Sequence, residues 1–285
     1  MSAPVFDLEA IIAVVQQAGR LVEQMRRDGL ANIQRKSSTI DLVTEADLAS
    51  EALLRQALQR LYPQVGFWGE ESNQRPDTAY FWLVDPIDGT TNFANGFPFY
   101  AINVALCHGD SAIIGVTLQL PAGVIYWAKT GAGAYQRNPD GTETRLAVNQ
   151  ATELRRTVVC TGFPYHRGES TDNNSNEIGH FIPQAQSTRC IGSAALELAF
   201  VATGAFGAYW EGWLGPWDAA AGVLLVREAG GRVTDYSGAE WRLPGGMGML
   251  ADNGQPALHD AMLTGIHAAP QPNRAQASDL TLICR

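Results

Sequence analysis

A strand-like run that ends in a polar cluster constrains this chain more than any other stretch. Residues 80–84 are mostly aromatic or β-branched, which is typical of a buried strand. Pro86 has no amide hydrogen to donate, so we expect the strand to stop at Asp85 and the chain to turn there. The run therefore predicts a buried strand that delivers polar side chains to a site at its end.

The polar cluster has the composition of a cation site. Asp85 and Asp88 are spaced about one helical turn apart, so we expect both carboxylates and the Ile87 carbonyl to converge on one point, as oxygen ligands do around hard cations. Gly89 permits a tight backbone, and Thr90 adds a hydroxyl. The alternative is an ordinary turn, because Asp-Pro and Asp-Gly are common loop dipeptides. The length of the whole motif favours the cation site.

Composition excludes several classes of function. A net charge of −9 over 285 residues disfavours direct nucleic-acid binding through a basic surface, and an anionic substrate would need help from a metal ion. Four scattered cysteines indicate neither a disulfide framework nor a zinc site. No apolar run approaches the ~20 residues of a membrane span, and residues 1–10 lack a secretory pattern. We therefore expect a cytoplasmic protein that does not bind membranes.

Two helices are predicted before the polar cluster. Apolar residues at helical spacing predict an amphipathic helix over residues 7–28. Thr44 and Asp47 resemble a capping box that opens a second helix, so Asp47 has a structural role open to it as well as a role in the site. Lys36 lies in the polar loop between the helices, where it either contacts an anion or is simply solvated.

Two further acidic positions have a structural alternative. Glu70 follows a candidate strand and Gly69, and a loop glutamate is usually solvated, but its place shortly before the aspartates favours a role in the site. Asp218 follows Trp217 at the start of an apolar helix, and from spacing alone it is an N-cap. Glu211 ends a strand shortly before that helix.

The predicted elements divide the chain into two halves and a tail. Residues 1–148 combine the two helices with consecutive strands joined by short turns, which indicates an α+β half with an antiparallel sheet. Residues 149–268 alternate strands with helices, which favours an α/β half. In that half Gly192 and Ser193 open a helix whose amide groups either face an anion or hydroxyl, or form a simple cap. Residues 269–285 read as a loosely held tail.

The acidic clusters together resemble a known family. The motifs at residues 67–72, 85–93 and 217–222 resemble those of the inositol monophosphatase family, the magnesium-dependent, lithium-sensitive phosphomonoesterases. The resemblance extends from about Ile11 to Leu263. It implies a five-layer αβαβα sandwich with the site between its halves, two or three Mg²⁺ ions, a small phosphorylated substrate and a homodimer. The sequence offers no competing phosphate loop, His-Glu-x-x-His motif or nucleophile elbow.

The resemblance also implies roles for single residues. The implied metal ligands are Glu70, Asp85, the Ile87 carbonyl, Asp88 and Asp218. The attacking water would lie between Glu70 and Thr90, oriented by Thr90 and Asp47. The implied substrate contacts are the amide groups of Gly89 and Thr90 for the phosphate, and Gly192, Ser193, Ala194 and Glu211 for the alcohol.

The substrate is the least constrained expectation. The resemblance favours myo-inositol 1-phosphate, but animal members have a histidine shortly before the Trp-Asp pair where this chain has Gly215 and Pro216. That difference weakens the inositol assignment and leaves the phosphatase assignment intact. Histidinol phosphate and fructose 1,6-bisphosphate remain alternatives from the same family. A protein-binding role is a third, since some bacterial relatives are implicated in transcription or ribosome assembly.

Overall fold

A computed structural model describes residues 5–29, 33–35, 42–165, 167, 173–246 and 248–269. Lys36 and the predicted tail from residue 270 onward lie outside the described residues. The elements in chain order are α1 (Leu8–Arg27), β1 (Ile33–Arg35), β2 (Leu42–Thr44), α2 (Glu45–Leu61), β3 (Gly66–Gly69), β4 (Tyr80–Asp88), α3 (Thr90–Ala94), β5 (Tyr100–His108), β6 (Ser111–Leu120), β7 (Val124–Lys129), β8 (Gly133–Arg137), β9 (Glu143–Arg145), β10 (Val158–Thr161), α4 (Ser175–Phe181), β11 (Ser187–Arg189), α5 (Ala194–Ala202), β12 (Ala208–Gly212), α6 (Pro216–Glu228), β13 (Arg232–Thr234), β14 (Gly248–Asp252) and α7 (Pro256–Ala268).

Two sheets of different connectivity form the framework. The larger sheet has seven strands in the order β3-β4-β5-β6-β7-β8-β9, and its neighbours are antiparallel except for the parallel pair β3 and β4. The smaller sheet has five strands in the order β11-β10-β12-β14-β13, with β10 parallel to both of its neighbours. Short turns between consecutive strands produce the first arrangement, and helical crossovers produce the parallel part of the second.

Helices complete a five-layer αβαβα sandwich, as predicted. Helices α1 and α2 pack on one face of the larger sheet, and α5 and α6 lie between the two sheets. Helices α4 and α7 cover the other face of the smaller sheet, where Phe181 lies with its ring 4.7 Å from that of Trp210. None of the helices in the described residues is long and apolar enough to cross a membrane.

The position of each helix in the layers follows from its sequence. Helix α1 is amphipathic and buries Ile11, Ile12 and Val15 toward the sheet. Helix α5 is buried at every residue except Phe200, because it has a sheet on each side. Helix α6 packs tightly on the larger sheet at Gly115, where an added Cβ would lie 2.9 Å from the Cα of Ala221.

Strand β4 does not end at Asp85, and that prediction was wrong. Asp85 pairs with Asn103 and Asp88 pairs with Ala101, so β4 has one more residue than β5 between these two pairs. Pro86 lies in this bulge, where a missing amide hydrogen is tolerated because the regular ladder is already interrupted. The polar cluster is therefore the bulged end of a strand.

Candidate metal centre

Three buried or partly buried carboxylates converge where the two halves meet. One oxygen from each of Asp85, Asp88 and Asp218 lies within 4.8 Å of the others. Asp85 is 2% exposed and Asp88 is 7% exposed. Two of these residues lie on the bulged end of β4 and the third lies on α6, so the cluster forms only when both halves are in place.

The bulge explains how two residues of one strand reach a common point. In a regular strand, residues at an odd spacing project to opposite faces, so Asp85 and Asp88 would point apart. The extra residue of the bulge reverses this alternation and directs both carboxylates to one side. The Ile87 amide donates to Asp85 Oδ1 at 3.0 Å, which fixes that carboxylate.

Asp218 is placed by the first turn of α6, and its prediction as the N-cap was wrong. The helix begins at Pro216, Gly215 is the N-cap, and Asp218 is the third helical residue. Its side chain accepts a hydrogen bond from the Gly215 amide at 2.8 Å. Asp218 therefore closes the helix start while it presents a carboxylate to the cluster.

Asn103 ties this helix start to the larger sheet, and sequence reasoning missed it. Its Nδ2 donates to the carbonyls of Trp217 at 2.7 Å and Asp218 at 3.2 Å. Its Oδ1 accepts from the hydroxyl of Thr117 at 2.7 Å, so the amide orientation is determined. Asn103 also pairs with Asp85 across the strands. One residue therefore helps to fix the position of Asp85 relative to Asp218. The only available signal was an asparagine in an otherwise apolar strand.

The carboxylates of the cluster have raised pKa values. Burial raises the pKa of Asp85 well above its usual range, and repulsion from Glu70 and Asp88 adds to this. Burial similarly raises the pKa of Asp218 well above its usual range. For Asp88 burial outweighs several stabilising hydrogen bonds and raises the pKa to about 6. A divalent cation would relieve this repulsion, and a set of carboxylate oxygens fits a hard cation such as Mg²⁺.

Asp88 is held by the start of α5, in the other half of the chain. Its Oδ2 accepts from the hydroxyl of Ser193 and from the amide of Ala195 at 2.9 Å. Ser193 is also the N-cap of α5. The structure thus places the Ser193 hydroxyl on a predicted metal ligand, while the predicted contacts of Gly192, Ser193 and Ala194 with substrate stay predictions.

Thr90 and Asp47 are brought together beside the cluster. The Thr90 hydroxyl lies 2.9 Å from the Ile87 carbonyl and 3.2 Å from Asp47 Oδ1. Asp47 is fully buried and also accepts from the Thr44 amide at 2.8 Å, within a capping box at the start of α2. Asp47 therefore caps α2 and also contacts the site, because one of its oxygens accepts from Thr44 and the other accepts from Thr90.

The chain matches the model of the inositol monophosphatase family over residues 6–271. The chain belongs to this family. An inositol-1-monophosphatase from Caulobacter vibrioides is 35% identical over 237 residues, which is 82% of this chain and 90% of the relative. A Nus factor SuhB from Xylella fastidiosa is 35% identical over 205 residues, which is 72% of this chain and 73% of the relative. The structure of an inositol monophosphatase from Anabaena has a TM-score of 0.80 and 32% identity, covering 93% of this chain and 96% of that chain.

Membership of the inositol monophosphatase family makes the chain a phosphatase of a metal-dependent family, and the acidic cluster is consistent with that dependence.

Glu70 follows the end of β3, and its amide donates to the Val84 carbonyl at 3.0 Å. Its charge contributes to the raised pKa values of Asp85, Asp88 and Asp218. The predicted ligand Glu70 therefore interacts electrostatically with the three carboxylates of the cluster.

The predicted phosphate-binding turn is conformationally restricted. Gly89 has φ of +90° and precedes the short helix α3. An added Cβ at Gly89 would lie 3.0 Å from the Gly192 carbonyl. Asn92 bridges the same two segments, because its Nδ2 donates to Phe99 at 2.7 Å and to the Ile191 carbonyl at 2.8 Å. Asn92 lies inside the recognised motif and could have been found from the sequence.

Glu211 lies in β12, where it is buried and interacts electrostatically with Asp88 of the carboxylate cluster. Tyr209 donates its hydroxyl proton to Glu211 Oε2, and the Gly162 amide is a further donor. Burial raises the pKa of Glu211 to about 7, and repulsion from Asp88 acts in the same direction. A Cβ at Gly162 would lie 2.1 Å from Glu211 Oε2, so the carboxylate packs directly on that backbone.

Sequence reasoning missed Glu197, a buried carboxylate whose Oε1 accepts from the Ile191 amide at 2.8 Å.

Proposed function

We propose that the protein hydrolyses a small phosphomonoester in a magnesium-dependent reaction, with myo-inositol 1-phosphate as the substrate. The observation that carries this proposal is the cluster of Asp85, Asp88 and Asp218, whose oxygens lie within 4.8 Å of one another in a chain of a phosphatase family. Uncompensated negative charge at this density repels a phosphate, so a cation is required before such a substrate can bind.

The metal is assigned to a set of oxygen ligands. The proposed ligands of two or three Mg²⁺ ions are Glu70, Asp85, the Ile87 carbonyl, Asp88 and Asp218. Magnesium held there supplies charge neutralisation for the phosphate and acidifies a water molecule. The ion count and the identity of the metal are parts of the proposal.

The remaining residues orient the reactants. In the proposed reaction the Thr90 hydroxyl and Glu70 accept hydrogen bonds from the attacking water, and Asp47 holds the Thr90 hydroxyl through the 3.2 Å contact described above. The amide groups of Gly89 and Thr90 donate to the phosphate oxygens. Gly89 is the N-cap of α3 and Thr90 is its first residue, so both amides belong to the start of a helix, where amide groups are available to an anion. Each of these groups acts on the phosphate or the water, so this part of the proposal holds for any phosphomonoester.

The choice of substrate rests on Glu211 and on the relatives. A buried carboxylate can accept hydrogen bonds from neighbouring hydroxyls of a polyol, and relatives such as the Caulobacter protein carry the name inositol-1-monophosphatase. The same carboxylate could pair with the ammonium group of histidinol phosphate. Fructose 1,6-bisphosphate is the third substrate to be compared.

The test is phosphate release from a panel of phosphomonoesters with and without Mg²⁺. The panel contains myo-inositol 1-phosphate, histidinol phosphate, fructose 1,6-bisphosphate and p-nitrophenyl phosphate. We expect hydrolysis only with Mg²⁺ and the highest kcat/KM for myo-inositol 1-phosphate. Metal-independent hydrolysis, or none with any substrate, would contradict the proposed reaction. A higher kcat/KM for histidinol phosphate would transfer the proposal to that substrate.

A protein-binding role is the second candidate function. It is favoured by the 35% identity to the Xylella protein named Nus factor SuhB. This role does not require the carboxylate cluster, so it predicts a partner that binds the Asp88→Asn variant as well as the parent.

We further propose a homodimer, which analytical ultracentrifugation tests directly.

A further inference from the structure

Helix α2 buries a polar stripe where its neighbours are apolar. Asp47, Ser50 and Glu51 lie on one face at helical spacing and are 0%, 0% and 6% exposed. The same helix buries Leu54 and Leu58 toward the sheet. Polar groups in such a position destabilise a fold unless each has a partner, so the partners of the stripe are informative.

Each residue of the stripe contacts a different segment of the metal centre. Asp47 accepts from Thr90 at the start of α3. Ser50 donates its hydroxyl proton to the Pro86 carbonyl at 3.1 Å, inside the β4 bulge. Glu51 Oε2 accepts from the amide of Glu71 at 2.8 Å, in the turn that follows β3. One rigid helix therefore fixes the relative positions of three segments that are distant in sequence.

The Glu51 carboxylate has a tightly defined place. A Cβ added to Gly69 would lie 2.2 Å from Glu51 Oε2, so the carboxylate occupies the space beside that glycine. Arg55 donates to Glu51 Oε1 at 3.4 Å and to the Ser72 hydroxyl at 2.6 Å. The Arg55 guanidinium lies 4.1 Å from the centre of the Phe67 ring, which limits its movement.

We propose that Glu51 is a positioning residue for Glu70. The Glu70 amide is bound to the Val84 carbonyl and the next amide, that of Glu71, is bound to Glu51, so the backbone is fixed on both sides of the Glu70 side chain. This inference rests on the proposed function, in which Glu70 is a metal ligand. Glu51 itself contacts the supporting backbone, and it acts on the metal only through Glu70.

The first experiment compares Glu51→Ala, Glu51→Gln and a control on the same helix, Leu53→Ala. Leu53 is a partly buried core residue outside the polar stripe. Mg²⁺ affinity is measured by calorimetry and by the Mg²⁺-induced rise in Tm, and kcat is measured at saturating Mg²⁺. We expect Glu51→Ala to weaken Mg²⁺ binding by about tenfold or more, as loss of a ligand-supporting residue does. Glu51→Gln should recover most of the affinity, because its amide oxygen can still accept from the Glu71 amide.

Leu53→Ala should lower the Tm without Mg²⁺ and leave Mg²⁺ affinity unchanged, which separates positioning from general destabilisation. Gly69→Ala provides an independent variant, because its methyl group displaces the Glu51 carboxylate. We expect it to weaken Mg²⁺ binding, and the double variant Glu51→Ala with Gly69→Ala to be no weaker than Glu51→Ala alone.

Parental Mg²⁺ affinity in Glu51→Ala, or equal losses of affinity in Glu51→Ala and Leu53→Ala, would overturn the positioning role while the proposed function stands. A parent protein that neither binds nor requires Mg²⁺ would overturn both.

Discussion

The metal end of the site and its alcohol end are built differently. After the roles proposed above, we call Glu70, Asp85, Asp88 and Asp218 the metal end, and Glu211 with its donors Tyr209 and Gly162 the alcohol end. At the metal end several carboxylates crowd together, and burial together with their mutual repulsion raises their pKa values despite their amide and hydroxyl donors. At the alcohol end one carboxylate is fixed by a tyrosine and a backbone amide.

This difference separates the reaction from its selectivity. In the proposed function, a cation at the metal end would act on the phosphate, which every candidate substrate has. In the proposed function, Glu211 contacts the part of the substrate in which the candidates differ. Substitutions at the metal end should therefore reduce hydrolysis of all substrates equally, and substitutions at the alcohol end should reduce it selectively.

The largest effect is expected for Asp88→Asn. Removing this charge should lower kcat/KM by roughly a thousandfold or more for every substrate, since a bound cation contributes several kcal/mol to the transition state. The fold should persist, because the asparagine oxygen can still accept from Ser193 or Ala195. Steady-state assays and circular dichroism check both points, with the exposed Asp260→Asn as the control. Activity within about tenfold of the parent would remove the basis for the metal assignment.

Thr90→Ala should have the next largest effect. Loss of the hydroxyl that orients the water should lower kcat by about a hundredfold, within the usual range for such groups. Mg²⁺ binding by calorimetry should be retained, because the hydroxyl is not a proposed ligand. Thr91→Ala is a matched control, since Thr91 is the exposed neighbour of the buried Thr90. Lost Mg²⁺ binding in Thr90→Ala would reassign the residue to the metal.

Glu211→Ala tests the alcohol end. It should lower kcat/KM for myo-inositol 1-phosphate by roughly ten- to hundredfold, the usual consequence of removing the partner of buried hydroxyls. Hydrolysis of p-nitrophenyl phosphate should be unchanged, and the exposed Glu153→Ala serves as the control. Equal losses with both substrates would make Glu211 a structural or metal-linked residue and erase the distinction between the two ends.

Lithium should give the smallest effect and act only at the metal end. We expect partial inhibition by millimolar Li⁺ at limiting Mg²⁺, equal for myo-inositol 1-phosphate and p-nitrophenyl phosphate, because both need the same cation site. The measurement is the inhibition constant at several Mg²⁺ concentrations. Unchanged activity in excess Li⁺ at limiting Mg²⁺ would count against a site with several exchangeable ions.

The sequence predicted the residue types of the site better than their geometry. The local motif predicts Asp85 and Asp88 as ligands, whereas Asp218 is a ligand only through the family resemblance, because spacing alone makes it an N-cap. The bulge was not predictable, since it depends on pairing between β4 and β5. The place of Asp218 at the third position of α6 also escaped, because a cap at Gly215 has no side-chain signal.

The supporting residues were the hardest to predict. Asn92 lies inside the predicted motif, but the carbonyl that it bonds, that of Ile191, is distant in sequence, as is the Trp217 carbonyl bonded by Asn103, so these contacts appear only when the layers are assembled. Ser50 and Glu51 share a helix face with Asp47, and that spacing is visible in the sequence. Their burial is not, because helical spacing alone does not show which face meets the sheet.

Anomalous diffraction from crystals soaked in Mn²⁺ and phosphate tests the central claim most directly, since Mn²⁺ takes the same oxygen ligands as Mg²⁺. We expect anomalous peaks within bonding distance of Asp85, Asp88 and Asp218, with phosphate beside Gly89 and Thr90. We also expect these peaks to disappear from Asp88→Asn crystals. Manganese bound elsewhere, with the carboxylate cluster empty, would contradict it.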